Sequence, residues 1–289
     1  MARSQAAGRD LVRRALSPGV RGPAAALLAA CLMATVWTAR ASEAPKPRPP
    51  EIERARAEPA VVRVQGDTIY YTGNFSKAST AAFDAAVAGV RRGQLTRLVI
   101  SSGGGDTVEG RHVGRWVRDM ALVVEVDVIC FSSCADYVFP AGRARVIRAD
   151  AFVGWHGNER TFHVQAARDG KRLEDLLSAY VPKEASPEQR AAFFRDFAET
   201  TKVTQKDEAD FYATLGLNDA FAVCAVGDVL EKRPGYAGQI GWGFTLADMA
   251  RLGLTNTVYL GEGRYERDSA RFRQNLVLIT ADDCLALLK

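Results

Sequence analysis

From residue 61 onward, apolar positions alternate between short runs of β-branched and aromatic residues and longer stretches of helical period. Val61 to Val64 and Thr68 to Tyr71 flank Gly66-Asp67, a pattern that predicts a hairpin. Ser79 to about Arg91 carries Phe83, Val87 and Val90 at helical spacing. Arg97-Leu98-Val99-Ile100 reads as a buried strand that runs into Ser101-Ser102-Gly103-Gly104-Gly105. Asp106-Thr107 then caps a helix through Val113, Val117 and Met120, and Leu122 to Ile129 is the next strand. A helix from about Ser133 to Ala141 is expected to close at Gly142 as C-cap. Short strands at Arg145 to Ile147 and Phe152 to Gly154 follow, with His156 just beyond.

Strand and helix in alternation at this spacing predict an α/β domain with parallel pairing through right-handed crossovers. In such sheets the functional loops gather at the strand C-termini. The glycine run and Ser133 both follow strand ends, which places them on one edge. Beyond Val164 the pattern turns helical. Ser186-Pro187-Glu188-Gln189 starts one helix through Phe193, Phe194 and Phe197, and Glu208 to Leu215 forms a second ending at Gly216. Thr245 to Gly253 reads as a short capped helix, and no internal repeat recurs at a fixed period.

Charge changes the picture mainly at the N-terminus. Arg3, Arg9, Arg13, Arg14 and Arg21 precede an apolar stretch from Pro23 to Ala39 and the small-x-small triplet Ala39-Arg40-Ala41. Residues 1–41 therefore read as a cleaved export signal, with two rivals. The stretch of about 17 apolar residues is near the lower limit for a retained membrane anchor. Leu28-Ala29-Ala30-Cys31 has the shape of a lipid-attachment box. Each reading places the body outside the cytoplasm, in the periplasm or an equivalent exported location, and membrane contact arises only if the segment is retained. Residues 42–60 hold Pro45, Pro47, Pro49, Pro50 and Pro59 and read as an extended linker. The remaining stretch of about 230 residues suits one domain with a full core. The net charge of +4 comes partly from the leader, and no Lys/Arg cluster interleaved with aromatics marks a nucleic-acid partner.

Candidate chemistry centres on Phe131-Ser132-Ser133-Cys134 and His156. A hydroxyl, an imidazole and a turn with free backbone amides are the parts acyl transfer needs. Each part has an ordinary structural alternative. Ser133 suits a helix N-cap, His156 suits a hydrogen-bonded core position, and the glycine run suits a plain strand-to-helix connection. Ser132 is the neighbour most easily confused with Ser133. His112 and His163 carry no catalytic pattern. Cys130, Cys134, Cys224 and Cys284 remain after the leader, an even number that permits two disulfides in an oxidising compartment. Four cysteines allow three connectivities, of which Cys130 with Cys134 and Cys224 with Cys284 is the favoured one. The sequence shows no metal site, no P-loop and no cofactor motif.

Four segments, in order, resemble the Clp-protease/crotonase superfamily, which also includes signal peptide peptidase A. Leu98 to Gly105 is similar to the family's strand and oxyanion loop, with Gly103 where proline is usual. Ser133 to Gly142 resembles the nucleophile helix, Trp155-His156-Gly157 the strand end that bears the catalytic histidine, and Thr245 to Leu254 the helix after the acid. The resemblance implies a repeated β-β-α superhelix with a parallel core sheet and C-terminal helical additions. It also implies a serine hydrolase acting on peptide bonds: Ser133 as nucleophile, His156 as base, and the Gly104, Gly105 and Cys134 amides as oxyanion hole. The family's acid position falls in Gly238 to Phe244, which holds no carboxylate; Asp228 is the nearest upstream candidate. The rival reading is an inactive member serving as a binding or assembly protein in the cell envelope. Acyl-CoA chemistry is disfavoured where CoA is lacking. In the Clp subunit a helical arm after the histidine joins rings, so the phenylalanine face at 193–197 is a candidate homo-oligomer contact.

Overall fold

The structure, a computed structural model, describes residues 50–288, with the side chains of Asp228 and Leu288 outside the description. The expected leader at 1–41 lies outside the described residues. Seven strands form the main sheet: β1 (Val61–Gln65), β2 (Thr68–Thr72), β3 (Arg97–Ser102), β4 (Val123–Phe131), β5 (Ala144–Ile147), β6 (Phe152–Gly154) and β8 (Thr257–Tyr259). The hairpin β1–β2 is antiparallel, and every other pairing in this sheet is parallel. The α/β class with a parallel core sheet and added C-terminal helices is thus as predicted.

β4 is the axis of the fold. It pairs with β3 on one side and, on the other, with β5 along its first half and β6 along its second. A register shift between Ile100 and Ser102 against β4 carries the end of β4 beyond its neighbour. β3, β4 and β6 all point the same way, so the loops after Ser102, Phe131 and Gly154 open on one edge. β7 (Gly241–Gly243) and β9 (Leu276–Leu278) form a small parallel pair, joined to the main sheet by a bridge from Trp155 to Trp242.

Helix boundaries follow local chemistry. Ser76 caps the Lys77–Ala86 helix through Ser79 N–H, and Asp106 caps the Thr107–Met120 helix through Val108 and Glu109 N–H. The segment after Ser133 is not a plain α-helix. It begins as a π-helical turn, Cys134–Val138, and tightens to α at Phe139–Ala141. Gly142 closes the segment as the expected C-cap, its N–H donating to Phe139 O, in an extended rather than a left-handed conformation. Gly110 and Gly114 of the Thr107–Met120 helix explain the close packing: a Cβ at Gly114 would lie 2.7 Å from Tyr137 O.

Two expectations need correction. Pro187–Leu215 is one 29-residue helix, with a capping box of Ser186 and Gln189 at its start. Residues 198–207 lack Gly and Pro, so nothing interrupts the ladder between the two predicted helices. The linker reading of 42–60 fails from Pro50 onward. Pro50–Arg54 is helical, Ala55 is fully buried, and Ala60 N–H donates to Ser79 Oγ at 2.8 Å. The phenylalanine face is covered within the chain. Phe193 and Phe197 pack with Leu177 and Val181 in a small core separate from the main one.

Candidate active site

The strand end Phe131 delivers two serines in sequence, and the backbone sends their side chains to different places. Ser132 adopts φ +58°, a left-handed conformation uncommon for a residue other than Gly or Asn. Its N–H still follows the sheet, donating to Gly154 O at 3.1 Å, while its C=O accepts Asp136 N–H at 2.8 Å. This sharp turn sets Ser132 Oγ 2.7 Å from His156 Nε2. Ser133 Oγ instead donates to Gly105 O at 2.8 Å, and the residue is 1% exposed. The imidazole therefore partners Ser132 and not Ser133, and Ser132 is half-buried.

His156 is held from three sides. Trp155, the residue before it, exchanges both backbone hydrogen bonds with Trp242 at 2.9 Å. The Trp155 indole donates to Ala135 O at 3.2 Å, tying the end of β6 to the turn that follows Ser132. The Phe131 ring stacks on the imidazole with centroids 5.0 Å apart. Burial pushes the His156 pKa down to about 4, and the positive charge of Arg56 pushes in the same direction. The ring is thus neutral at neutral pH and ready to accept a proton, yet the resulting imidazolium is disfavoured. Among the described residues no carboxylate bonds to it. β7, at the place where the resemblance expects an acid, offers Gly241, Trp242 and Gly243. The Asp228 side chain lies outside the description, so the structure does not place it at the ring.

The glycine loop closes the site. A Cβ on Gly104 would lie 2.6 Å from Ser132 Cβ, and one on Gly105 2.3 Å from Phe75 O, so no side chain fits at either place. Phe75 N–H donates to Gly104 O, and Asp106 N–H donates to Phe75 O. In a parallel bridge of this kind Gly105 turns its own N–H and C=O to the opposite side. Its C=O accepts the Ser133 hydroxyl, which fixes that side as the serine turn. Gly104 N–H faces Ser102 Oγ at 3.2 Å instead. The amide after Ser132 is that of Ser133, in the first turn of the helical segment where no intrahelical acceptor precedes it. Cys134 N–H sits one residue further on.

Both expected cysteine pairs form: Cys130 with Cys134, Cα atoms 5.1 Å apart, and Cys224 with Cys284, 4.6 Å apart. The first closes a ring around Phe131, Ser132 and Ser133, so the left-handed turn sits inside a covalent loop. Such bonds are compatible with an exported protein. Among the described residues no helix is long and apolar enough to cross a membrane, and no group of three or more His, Cys, Asp or Glu is arranged to hold a metal. His112 pairs with Asp84 at 2.8 Å on the surface, and His163 Nδ1 meets Gln205 Nε2 at 2.8 Å. Neither approaches Ser132 by any contact.

Sequence reasoning gave no role to three residues. Ser132 was masked by its neighbour, because backbone sign is not written in a Ser-Ser pair. Arg56 was assigned to a linker. Asp136, in an otherwise apolar run, was the one visible signal of a buried acidic cluster. It is 1% exposed beside Glu208, Tyr137 and Tyr212, with burial and Glu208 raising its pKa well above the ordinary value.

No family model matches the chain, and no curated protein matches it. Among solved structures, similar chains include methylmalonyl-CoA decarboxylase complexed with 2S-carboxypropyl-CoA, at 9% identity and TM-score 0.30 over 36% of this chain and 52% of that one. An enoyl-CoA hydratase from Thermoplasma volcanium is similar at 11% identity and TM-score 0.28, over 34% and 51%. DspI of Pseudomonas aeruginosa is similar at 12% and 0.27, over 34% and 53%. The chain spans about half the length of each of these structures, a partial likeness of chain trace that carries no chemistry across.

Proposed function

We propose that this chain is an exported serine hydrolase of the Clp-protease-like kind, acting on peptide bonds through a Ser132–His156 dyad. The observation that carries this reading is Ser132 itself, held left-handed at a sheet edge with its hydroxyl 2.7 Å from His156 Nε2. Non-glycine residues kept in that conformation cost about 1–3 kcal/mol and cluster at functional sites. A core histidine has no need of such a turn.

Ser132 Oγ adds to the peptide carbonyl carbon and gives its proton to His156 Nε2. The carbonyl oxygen takes the negative charge and is held by the N–H groups of Gly105 and Ser133, each donor worth roughly 3 kcal/mol in comparable sites. Collapse breaks the C–N bond, and the amine leaves with the proton from His156. Water then adds to the acyl-serine ester, passing one proton to His156. The acid departs as that proton returns to Ser132. Without a carboxylate behind it His156 is a weak base, which predicts slow turnover.

A second reading, an inactive binding or assembly protein, is favoured by the Arg56 charge at His156 and by the lack of a carboxylate there among the described residues. A fluorophosphonate probe separates the two. Labelling of folded wild type that vanishes in Ser132→Ala and persists in Ser133→Ala is the expected result. Absence of labelling in folded wild type overturns the hydrolase reading.

A further inference from the structure

The Cys130–Cys134 bond joins the sheet to the turn that carries the serine. Cys130 lies opposite Ser102 of β3 and Val153 of β6, the strands that lead into the glycine loop and to His156. Cys134 opens the π-helical turn, where its C=O accepts Phe139 N–H. Phe131, Ser132 and Ser133 lie between the bonded cysteines, whose Cα atoms are 5.1 Å apart. Ser132 makes the reversal, at φ +58°. A left-handed serine is costly, and the stabilisation that a short disulfide loop contributes is of the same order. Ser132 N–H reaches Gly154 O on one side of the reversal, and its C=O accepts Asp136 N–H on the other. The disulfide ties the two sides covalently. Cys130 and Cys134 are both fully buried. Neither reductant nor oxidant reaches the sulfurs once the turn has packed, so their redox state is set while the chain folds.

We propose that this disulfide positions the nucleophile, so that the chain is inert while its cysteines are reduced and becomes competent only by oxidation outside the cytoplasm. The inference rests on the exported Ser132 hydrolase reading. Cys130 and Cys134 act through Ser132 and are positioning residues. The oxidant is a disulfide carrier of the exported compartment. One cysteine thiolate of the unfolded chain adds to a carrier sulfur, breaking the carrier's S–S bond and forming a mixed disulfide. The other thiolate then attacks the chain's sulfur, which forms the Cys130–Cys134 bond and releases the carrier as a dithiol. Two electrons pass to the carrier, and the two protons shed by the cysteines end on its sulfurs. In the reduced chain nothing covalent holds the reversal. Relaxation of Ser132 towards the right-handed region turns Oγ away from its 2.7 Å contact with His156 Nε2. Misplacing reacting groups by about 1 Å can cost about a hundredfold in rate. A peptide hydrolase built this way does no damage in the compartment where it is made.

The full chain is labelled with a fluorophosphonate in three forms: wild type, Cys130→Ala/Cys134→Ala and Cys224→Ala/Cys284→Ala. The last removes the bond that ties Cys224 to the Ala281–Leu285 helix and controls for a general loss of stability. Loss of Cys130 and Cys134 is expected to slow labelling about a hundredfold in protein that urea denaturation shows to be folded. Loss of the other pair should leave it within a few-fold. Wild type refolded in dithiothreitol tests the same point without substitution, and labelling should appear after refolding with oxidised glutathione instead. Failure of both reduced forms to fold assigns the bond to folding in general and overturns the proposal. The His156 imidazole gives a readout that needs no turnover. Its proton signals, followed by NMR across pH, should move in Cys130→Ala/Cys134→Ala as they move in Ser132→Ala, because both remove the hydroxyl from Nε2. A bond that merely adds stability would leave them as in wild type, and that result in the folded double variant overturns the proposal. Equal labelling of wild type and that variant does the same and leaves the hydrolase standing. No labelling of oxidised wild type removes the hydrolase and the control of its activity, and the His156 signals then decide the positioning alone.

Discussion

The turn from Ser132 to Val138 separates two polar regions of opposite character. On one side Ser132 and His156 meet at an open edge, under the influence of a cation, with no carboxylate among the described residues. On the other, Asp136 and Glu208 are each 1% exposed in a chamber lined by Tyr137, Tyr212 and Arg111. Tyr137 donates to Glu208 Oε1 at 2.6 Å, and Tyr212 donates to Asp136 O at 2.9 Å. Arg111, fully buried, bonds Asp207 at 2.7 Å and lies over the Tyr137 ring. An acidic side chain, Asp136, thus lies four residues from the nucleophile, yet it serves the other face. Proximity in sequence does not make a triad; the face on which the side chain emerges does. The chamber's carboxyls also differ in state. Burial raises Asp136 well above the usual range and pushes Glu208 up to about 8, so Glu208 is mostly protonated at neutral pH. A protonated acid donates a hydrogen bond and cannot steady an imidazolium.

The contrast breaks most sharply at Arg111. It is the chamber's single buried cation among the described residues, and removing it leaves its ion-pair partners Asp207 and Glu159 uncompensated. Arg111→Met is expected to lower stability by about 3–5 kcal/mol, measured by urea denaturation. Adding Glu159→Gln should return part of that loss, since Arg111 and Glu159 form one ion pair. If Arg111→Met is neutral, the chamber is apolar packing with incidental charges. The dyad should feel the change only through the turn, so fluorophosphonate labelling of folded Arg111→Met stays within a few-fold of wild type.

Most of the fold was legible because buried parallel strands and capped helices announce themselves locally. The hairpin, β3, β4, the Asp106 cap and the Ser186 start all follow from runs of two or three residues. The long helix differs from the two expected because residues 198–207 are mostly polar and carry no apolar stripe, while side chains there bond to residue 159. Thr204 donates to Glu159 Oε2 at 3.0 Å, and Gln205 donates to Glu159 O at 2.9 Å. Of the site, His156 and the glycine loop were legible from their places after strands. The choice between Ser132 and Ser133 was not, because a single positive φ decides it. The stretch at 55–57 was hidden for another reason: proline-rich composition suggests a linker, while tertiary hydrogen bonds to Gly103 and Asn74 hold it in place.

Acidity sharpens the comparison further, because the two regions respond to pH with opposite sign. Glu208 has a folded pKa of about 8 against an ordinary 4.5, so the folded state holds a proton that the unfolded state releases across this window. Its contribution to stability is present below pH 4.5 and is lost as pH rises towards 8. His156 runs the other way. Its folded pKa of about 4 lies below the ordinary 6.5, so its contribution is present above 6.5 and is lost as pH falls through 4. Between about 4.5 and 6.5 the two slopes oppose each other. From 6.5 to 8 the chamber acts alone, and wild type should lose stability there. Glu208→Gln should flatten that limb and leave the acid-side loss, whereas His156→Gln should do the opposite. Parallel curves for Glu208→Gln and wild type between 6.5 and 8 would show that the chamber holds no extra proton.

The smallest effect discriminates best between the two serines. Ser133 is nearly inaccessible, and its hydroxyl is engaged with Gly105 O. Ser133→Ala removes that hydrogen bond without opening a cavity larger than an oxygen atom, so the expected loss is about 1 kcal/mol. The Ser133 amide, as an oxyanion donor, is untouched by the substitution. Labelling should therefore persist, slowed only as far as Gly105 drifts once its carbonyl loses its partner. A loss of labelling as complete as that in Ser132→Ala, in a variant whose denaturation curve matches wild type, would return the nucleophile to Ser133. The turn would then have to rearrange in solution, with Ser133 leaving Gly105 to reach His156. The Cys130–Cys134 ring opposes that movement, because it confines both serines to a three-residue loop between the bonded cysteines.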